Sequence, residues 1–343
     1  EEMLENIETA EERMDAVKTV AEYKQKNGLQ VTDASREAVV IKKNSAYIEN
    51  EDYKSYYINF LQHNMEISKS YQHHLLEGMR VAFSGVKGAF ADIAAKKVFP
   101  DAVSVPYPDF KSAYRAVERG ECEVAVLPIE NSYEGDVARV MDLTYFGSLF
   151  INGVYDMAVE QNLFGTQNAD VKTIKKVISH PQALGQCAGY IKKHGFETIE
   201  AVNTAVAAKQ VAEMGRHDIA AIGSDEAGEQ YGLKKLEAHI NESNSNTTRF
   251  AVFSRTAKAP SSADRHFIML FTVKNEAGAL GKAVSVIGEH GFNLKALKSR
   301  PTKELIWEYY FYAEGEGNIY TDEGKKMLDE LHQHCSTVKI IGS

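Results

Sequence analysis

"GMRVAFSGVKGAFADIAA", residues 78–95, marks the point at which the chain changes its period. Val81, Ala82 and Phe83 form an apolar run of strand length, Gly85 and Gly88 punctuate it, and from Phe90 the apolar residues return at helical spacing. Strand, glycine turn and helix in that order make an α/β unit. Everything before it reads as helix. From residue 2 to about 27, Met3, Leu4, Ile7, Met14, Val17, Val20 and Ala21 recur every three or four residues, and Gly28 supplies a stop. Asp33 is a good N-cap for a second helix, and a third is predicted from about 52 to 76. Three helices with wide apolar stripes bury them poorly alone, so a partner chain is expected, as a homodimer or homotetramer.

Beyond the switch, short strands are predicted at 103–106, 123–129, 150–159, 176–179, 198–201 and 218–222, with helices between most of them. The series breaks near "GSLFINGVYDMAVEQNLFGTQ", residues 147–167, which points to two α/β lobes joined by crossing strands, with a cleft between. That arrangement is similar to periplasmic binding proteins. After the loop "SRTAKAPSSADRH", strand 266–274, helix 279–290, strands 293–299 and 306–314, helix 322–334 and strand 338–341 give the order βαββαβ, a ferredoxin-like α+β unit. The expected division is 1–78 all-α, 79–255 two-lobed α/β, and 265–343 α+β.

Composition narrows the function. A formal charge of -9 without any cluster of Lys and Arg excludes nucleic acid and anionic membrane as partners. Three widely separated cysteines, Cys122, Cys187 and Cys335, give neither a disulfide framework nor a zinc spacing. No apolar run reaches membrane length and the first residues are acidic rather than a signal peptide, so a cytoplasmic enzyme is expected, without cofactor or metal.

In "NSNTTRFAVF", residues 244–253, small polar side chains crowd ahead of Arg249 and an apolar run. A polar loop feeding a strand explains this, as does a pocket of hydroxyls, amides and one guanidinium built for a carboxylate. Elsewhere, "AVLPIENSYEGDV" puts Glu130, Asn131 and Ser132 just past an apolar strand, the edge where α/β folds present ligand groups. "SHPQALGQC" does the same with His180 and Gln182. On the first helix Arg13 and Lys24 are eleven residues apart. That spacing returns them to nearly one face about 16 Å along the axis. Asp33, Arg36 and Glu37 follow, and Ser68 and Gln72 are an i,i+4 pair; solvated helix decoration would look the same.

Resemblance separates these readings. "ERMDAVKTVAEYKQKNGLQVTDASRE" followed by "MEISKSYQ" resembles the all-helical chorismate mutase domain, over roughly residues 3–72. The resemblance implies that Arg13 and Lys24 bind chorismate's carboxylate and ether oxygen with Arg36 beside them, that Glu37 meets its hydroxyl, that Asp33 and Ser68 support the pocket, and that Gln72 donates to the ether oxygen. The family carries a further arginine on its first helix whose counterpart would precede Glu1, and "EEMLENIETA" has no substitute, so mutase activity weaker than dehydratase activity is expected.

"GVKGAF", "LPIENSYEGDV", "ISHPQALGQC", "NTAVAAK" and "NTTRFAVF" resemble prephenate dehydratase in the same order, over about residues 79–255. The resemblance implies loss of carbon dioxide and hydroxide from prephenate, with Thr248 catalytic, Arg249 on the substrate carboxylate, Phe250 completing the motif, and Glu130, Asn131, Ser132 and His180 in the site. "NEAGALGKAVSVIGEHGFNLKALKSRP" looks like an ACT regulatory domain, which implies L-phenylalanine as effector at Gly278, Ala279, Leu280, Asn293 and Ser299, across a dimer interface. Ala277 stands where that family usually has proline, and Lys298 where its "ESRP" motif has glutamate. The whole chain therefore resembles the bifunctional chorismate mutase/prephenate dehydratases (P-proteins) of phenylalanine biosynthesis. Two other readings stand beside it: a monofunctional prephenate or arogenate dehydratase whose mutase-like helices only dimerise, and a non-catalytic anion or amino-acid sensor.

Overall fold

The structure, a computed structural model, describes residues 2–133, 135–242, 246–302 and 308–342, with side chains from Thr9 onward. Asn244 and Ser245 of the polar loop, and Ile306 at the start of the strand expected at 306–314, lie outside these residues.

Three helices open the chain: α1 (Glu2–Lys26), α2 (Ala34–Ser45) and α3 (Glu51–Glu77). Asp33 caps α2 by accepting from the Arg36 N–H at 3.0 Å, and Asn50 caps α3 by accepting from the Asp52 N–H at 2.9 Å. Val17, Ala21, Val31 and Leu61 are buried where the helices meet, yet Tyr23, Tyr53, Tyr56 and Phe60 are each more than 60% exposed. The helical unit thus buries only part of its apolar surface within one chain.

The chain then builds one lobe from β1 (Arg80–Ser84), α4 (Phe90–Val98), β2 (Val103–Tyr107), α5 (Phe110–Glu118), β3 (Val124–Asn131), β4 (Gly135–Asp136), α6 (Ala138–Phe146) and β5 (Phe150–Ala158). It crosses to a second lobe of β6 (Asn162–Gly165), β7 (Lys176–Ser179), α7 (Pro181–Gln186), α8 (Ala188–His194), β8 (Glu197–Glu200), α9 (Thr204–Met214), β9 (Ile219–Gly223), α10 (Asp225–Gln230) and β10 (Lys234–Glu237), and returns as β11 (Thr247–Ser254). β1, β2 and β3 are parallel, and β11 inserts antiparallel between β3 and β5. Their near-continuous burial, from Val81 to Phe83 and Val124 to Leu127, follows from a sheet covered on both faces. The second sheet runs β10-β6-β9-β7-β8. β6 and β10 escaped the sequence reading because "NLFG" and "KKLE" are short, and the second is charged and exposed, with no alternation to register.

The last unit is β12 (His266–Thr272), α11 (Ala279–Glu289), β13 (Asn293–Pro301), β14 (Tyr309–Glu316), α12 (Asp322–His334) and β15 (Thr337–Gly342), an antiparallel sheet of order β13-β14-β12-β15. It is not an appended bead. β15 joins β5 at Gly342 and Ile151, so one sheet runs from β13 to β2. Ile268, Leu270, Tyr310, Tyr312 and Ile341 share a core with Leu127, Ile129, Val140 and Phe253 of the first lobe. The opposite face, with Phe267, Met269 and Phe271, packs with Ala283, Ile287, Met327 and Leu331 of α11 and α12. The sheet curls strongly, because Lys298 of β13 lies 3.0 Å from Glu130 of β3, although flat strands six places apart would be separated by about 29 Å. Among the described residues no helix is long and apolar enough to cross a membrane.

Gly315 on β14 pairs with Phe267 on β12, and a Cβ there would overlap the Phe267 ring. Gly315→Ala is expected to destabilise the C-terminal unit by about 1–3 kcal/mol, the usual cost of overpacking a core. A lowered urea midpoint measured by C-terminal probes checks this; an unchanged midpoint would mean that the ring has room to move.

Candidate active sites

The two lobes enclose a cavity of about 420 Å³. The first lobe supplies the start of α4, Phe110, Pro128, Asn131, residues 135–137, Thr248 and Phe250; the second supplies His180, Gln182, Gln186 and Asn203 with Thr204, and Gln161 comes from the crossing segment. The volume suits a small organic ligand.

Thr248 sits directly opposite Asn131 in the β11/β3 register, and the Asn131 amide donates to the Thr248 hydroxyl oxygen at 2.8 Å and to the Asn246 side-chain Oδ1 at 3.2 Å. The amide of Asn131 is itself fixed, because its oxygen accepts from the Tyr133 N–H at 2.9 Å. Since the threonine oxygen is already accepting, its own hydrogen is left to donate into the cavity. His180 caps α7, with Nδ1 accepting from the Gln182 N–H at 3.3 Å, so the neutral ring carries its proton on Nε2. No Lys or Arg lies among the described lining residues. Positive potential comes instead from backbone: α4 follows the N-cap residue Ala89, which offers no side-chain cap, and α9 follows Asn203, whose side-chain oxygen takes the Val206 N–H. The remaining N–H groups of both first turns have no intrahelical partner.

Three expected members of this site lie elsewhere. Successive side chains of a strand point to opposite faces, so Arg249 and its cross-strand neighbour Glu130 turn away from Thr248 and Asn131. Arg249 binds Glu314 at 3.1 and 2.9 Å, Glu130 at 3.2 Å and Asp156 at 3.4 Å, all on the reverse of the sheet. It therefore does not reach a carboxylate in this cavity, as the resemblance had implied. Burial opposes the Arg249 charge, but Glu314 and then Glu130 more than compensate and raise its pKa. Burial likewise opposes the Glu130 charge, and Lys298, followed by Arg249, holds that carboxyl below its ordinary value. Ser132 is exposed and closes the strand ends, its N–H donating to the Thr247 carbonyl and its hydroxyl oxygen accepting from the Thr247 N–H. Gln161, which the sequence reading missed, is 2% exposed, donates to Gln186 at 3.1 Å and keeps a buried carbonyl oxygen without a protein partner. Only its place at the lobe crossing betrays it.

In the helical unit Arg13 reaches Ser68 at 3.4 Å, and Lys24 donates to the Val31 carbonyl at 2.7 Å. Burial lowers the pKa of Lys24 and the neighbouring Arg36 adds to this, with Glu37 and Asp33 opposing, so these four charges lie near one another. Glu37 accepts from Lys69 at 3.0 Å, a cation the sequence reading did not include. Asp33 is spent on capping α2 and on the Ser35 hydroxyl. Gln72 is buried, donates to the Ser68 carbonyl at 3.3 Å and leaves its own oxygen unpartnered.

At the C-terminal unit Gly278 has φ +83° and precedes α11, with Ala279 and Leu280 in the first turn. Asn293 and Ser299 are exposed on β13, the edge strand of the sheet, and Asn293 donates to Glu316 at 2.8 Å. Lys298 points instead toward the first lobe.

Comparison with known proteins gives the family. The prephenate dehydratase family model matches residues 81–258 and the chorismate mutase type II model residues 5–73. The arogenate dehydratase/prephenate dehydratase 2 of Arabidopsis thaliana is 33% identical over 276 residues, 77% of this chain and 72% of that protein. The bifunctional chorismate mutase/prephenate dehydratase of Neisseria gonorrhoeae is 32% identical over 268 residues, 77% of this chain and 74% of that protein. Two solved structures superpose with TM-score 0.71, each over 77% of this chain. One, described as the quorum-quenching acylase GqqA, is 30% identical and covered to 96%; the other, the prephenate dehydratase of Arthrobacter aurescens in complex with L-Phe, is 26% identical and covered to 89%. A match running over more than half its length shows that the chain belongs to the prephenate dehydratase family, as a member with a chorismate mutase domain at its N-terminal side.

Proposed function

We propose that this chain converts chorismate to prephenate in its helical unit and prephenate to phenylpyruvate in the cleft, under feedback by L-phenylalanine. The observation that carries the second step is the Thr248 hydroxyl held by Asn131 at the cavity wall with its hydrogen free. In the reaction the bond to the ring carboxylate breaks, its electron pair becomes a ring double bond, and hydroxide departs from the opposite carbon with the C–O pair. Hydroxide leaves poorly, and the Thr248 O–H stabilises it as charge develops, with the His180 Nε2–H, in the same cavity, as proton source. The two carboxylates of prephenate take backbone N–H groups at the starts of α4 and α9. Aromatisation supplies the drive, so the protein chiefly orients the leaving groups.

The first step is a rearrangement that needs only a cavity holding the compact conformer, with cations facing the breaking ether bond. Arg13, Lys24, Arg36 and Lys69 supply that charge. The units run 1–78, 79–255 and 265–343, the last an ACT domain, and the chain is a homodimer or homotetramer. The exposed aromatics of the helices and the open edge of β13 are the surfaces such an assembly would cover. Phenylalanine binds along that edge, at residues 278–280 with Asn293 and Ser299. Supplying chorismate alone tests the assignment: phenylpyruvate should accumulate after a prephenate lag. Persistence of prephenate would remove the dehydratase, and persistence of chorismate the mutase.

Valine is strained at the positive φ of Gly278, so Gly278→Val is expected to weaken phenylalanine binding at least tenfold by calorimetric titration, a loss of about 1.4 kcal/mol. Equal affinity in both proteins would exclude this loop as the effector site.

A further inference from the structure

Glu130 on β3 and Asp136 on β4 are directly paired across the short hairpin that follows β3. Like charges placed opposite one another on adjacent strands destabilise the pairing. The hairpin nevertheless carries much of the cavity wall, since Asn131 and residues 135–137 all line it. The sequence of the hairpin, residues 124–136, holds no Lys or Arg to neutralise the pair. The cation comes from the C-terminal unit: Lys298 Nζ lies 3.0 Å from Glu130 Oε1 and 2.5 Å from Asp136 Oδ1, with its side chain 17% exposed. Two positions on, Arg300 emerges from the same face of β13 and binds Asp142 of α6 through Nε and Nη2, at 3.1 and 2.9 Å. Arg249 meets the other oxygen of Glu130 while gripped by Glu314 of β14. The curl of the sheet thus brings β13 and β14 against the reverse of the strands that hold Thr248 and Asn131.

We infer that Lys298 is a positioning residue of the dehydratase cleft: by bridging Glu130 and Asp136 from the C-terminal unit, it closes the β3–β4 hairpin that shapes the cavity around Asn131. The inference rests on reading the cleft as the dehydratase site. It also accounts for a lysine at a place where the ACT resemblance calls for glutamate. A glutamate there would set a third carboxylate against two others. The bridge gives the C-terminal unit a direct route to the cavity, because any displacement of β13 withdraws the cation from Asp136 and leaves it facing a Glu130 held by Arg249 alone.

The test uses the full chain as Lys298→Met and Lys298→Arg. Hydrogen exchange across residues 130–137 should quicken at least tenfold in Lys298→Met and return close to the unmutated rate in Lys298→Arg. With prephenate, kcat should fall about tenfold in Lys298→Met with KM changed less than about twofold, while chorismate rearrangement is unaltered. Unchanged exchange in 130–137 in Lys298→Met would overturn the inference, as would unchanged kcat in a chain that turns over prephenate. A chain with no dehydratase activity at all would contradict the reading of the cleft, and the exchange measurement would then decide the role of Lys298 alone.

Discussion

Thr248→Ala should lower dehydratase turnover by at least about a hundredfold, the size of effect seen when one preorganised donor to a departing or developing oxyanion is lost. The threonine is 9% exposed, its oxygen is occupied by the Asn131 amide, and its hydrogen alone remains for the substrate. Alanine removes that donor, and it leaves β11 intact because no ladder bond involves the side chain. Chorismate rearrangement should be unaffected, since the helical unit shares no residue with the cleft. Thr248→Ser, which keeps the hydroxyl, should recover much of the rate. Steady-state formation of phenylpyruvate from prephenate reads both variants; full turnover in the alanine variant would remove Thr248 from the mechanism.

The second large effect is expected at Lys24. Taking one cation from a partly desolvated dianion site costs roughly 2–5 kcal/mol, a thirtyfold or greater loss of chorismate mutase kcat/KM. Lys24 is the better choice than Arg13 because it is half-buried and fixed on the Val31 carbonyl at 2.7 Å, whereas Arg13 is exposed. In Lys24→Ala the dehydratase rate should persist. Unaltered helical circular dichroism would show that losing the bond to the Val31 carbonyl has not unravelled the turn after α1. Mutase activity undiminished in this variant would mean that Arg36 and Lys69 suffice.

Periodicity carried most of the fold. The switch at residue 78 is a change from 3.6-residue to strand spacing, and it coincides with the boundary between α3 and β1. The order βαββαβ was legible because each C-terminal element has one clear apolar face. What sequence did not disclose is the union of that unit with the first lobe, which depends on a pairing between Gly342 and Ile151, far apart in the chain. The site was legible where a single motif places neighbours on one face, as with Thr248 and Phe250. It misled where adjacency in sequence was taken for adjacency in space. Glu130, Asn131 and Ser132 are consecutive, as are Thr248 and Arg249, yet strand alternation sends only Asn131 and Thr248 into the cavity. Lys298 shows the converse, a residue remote in sequence that curvature of the sheet brings to the hairpin.

The central claim is that the cleft between the lobes removes carbon dioxide and hydroxide from prephenate. Its most direct test is to supply prephenate to the purified, unmutated chain and quantify both carbon dioxide and phenylpyruvate. The two should be released in equal amounts until prephenate is exhausted, and the Thr248→Ala chain should leave most prephenate intact over the same interval. Prephenate recovered unchanged from the unmutated chain, or consumed equally fast by both, would contradict it.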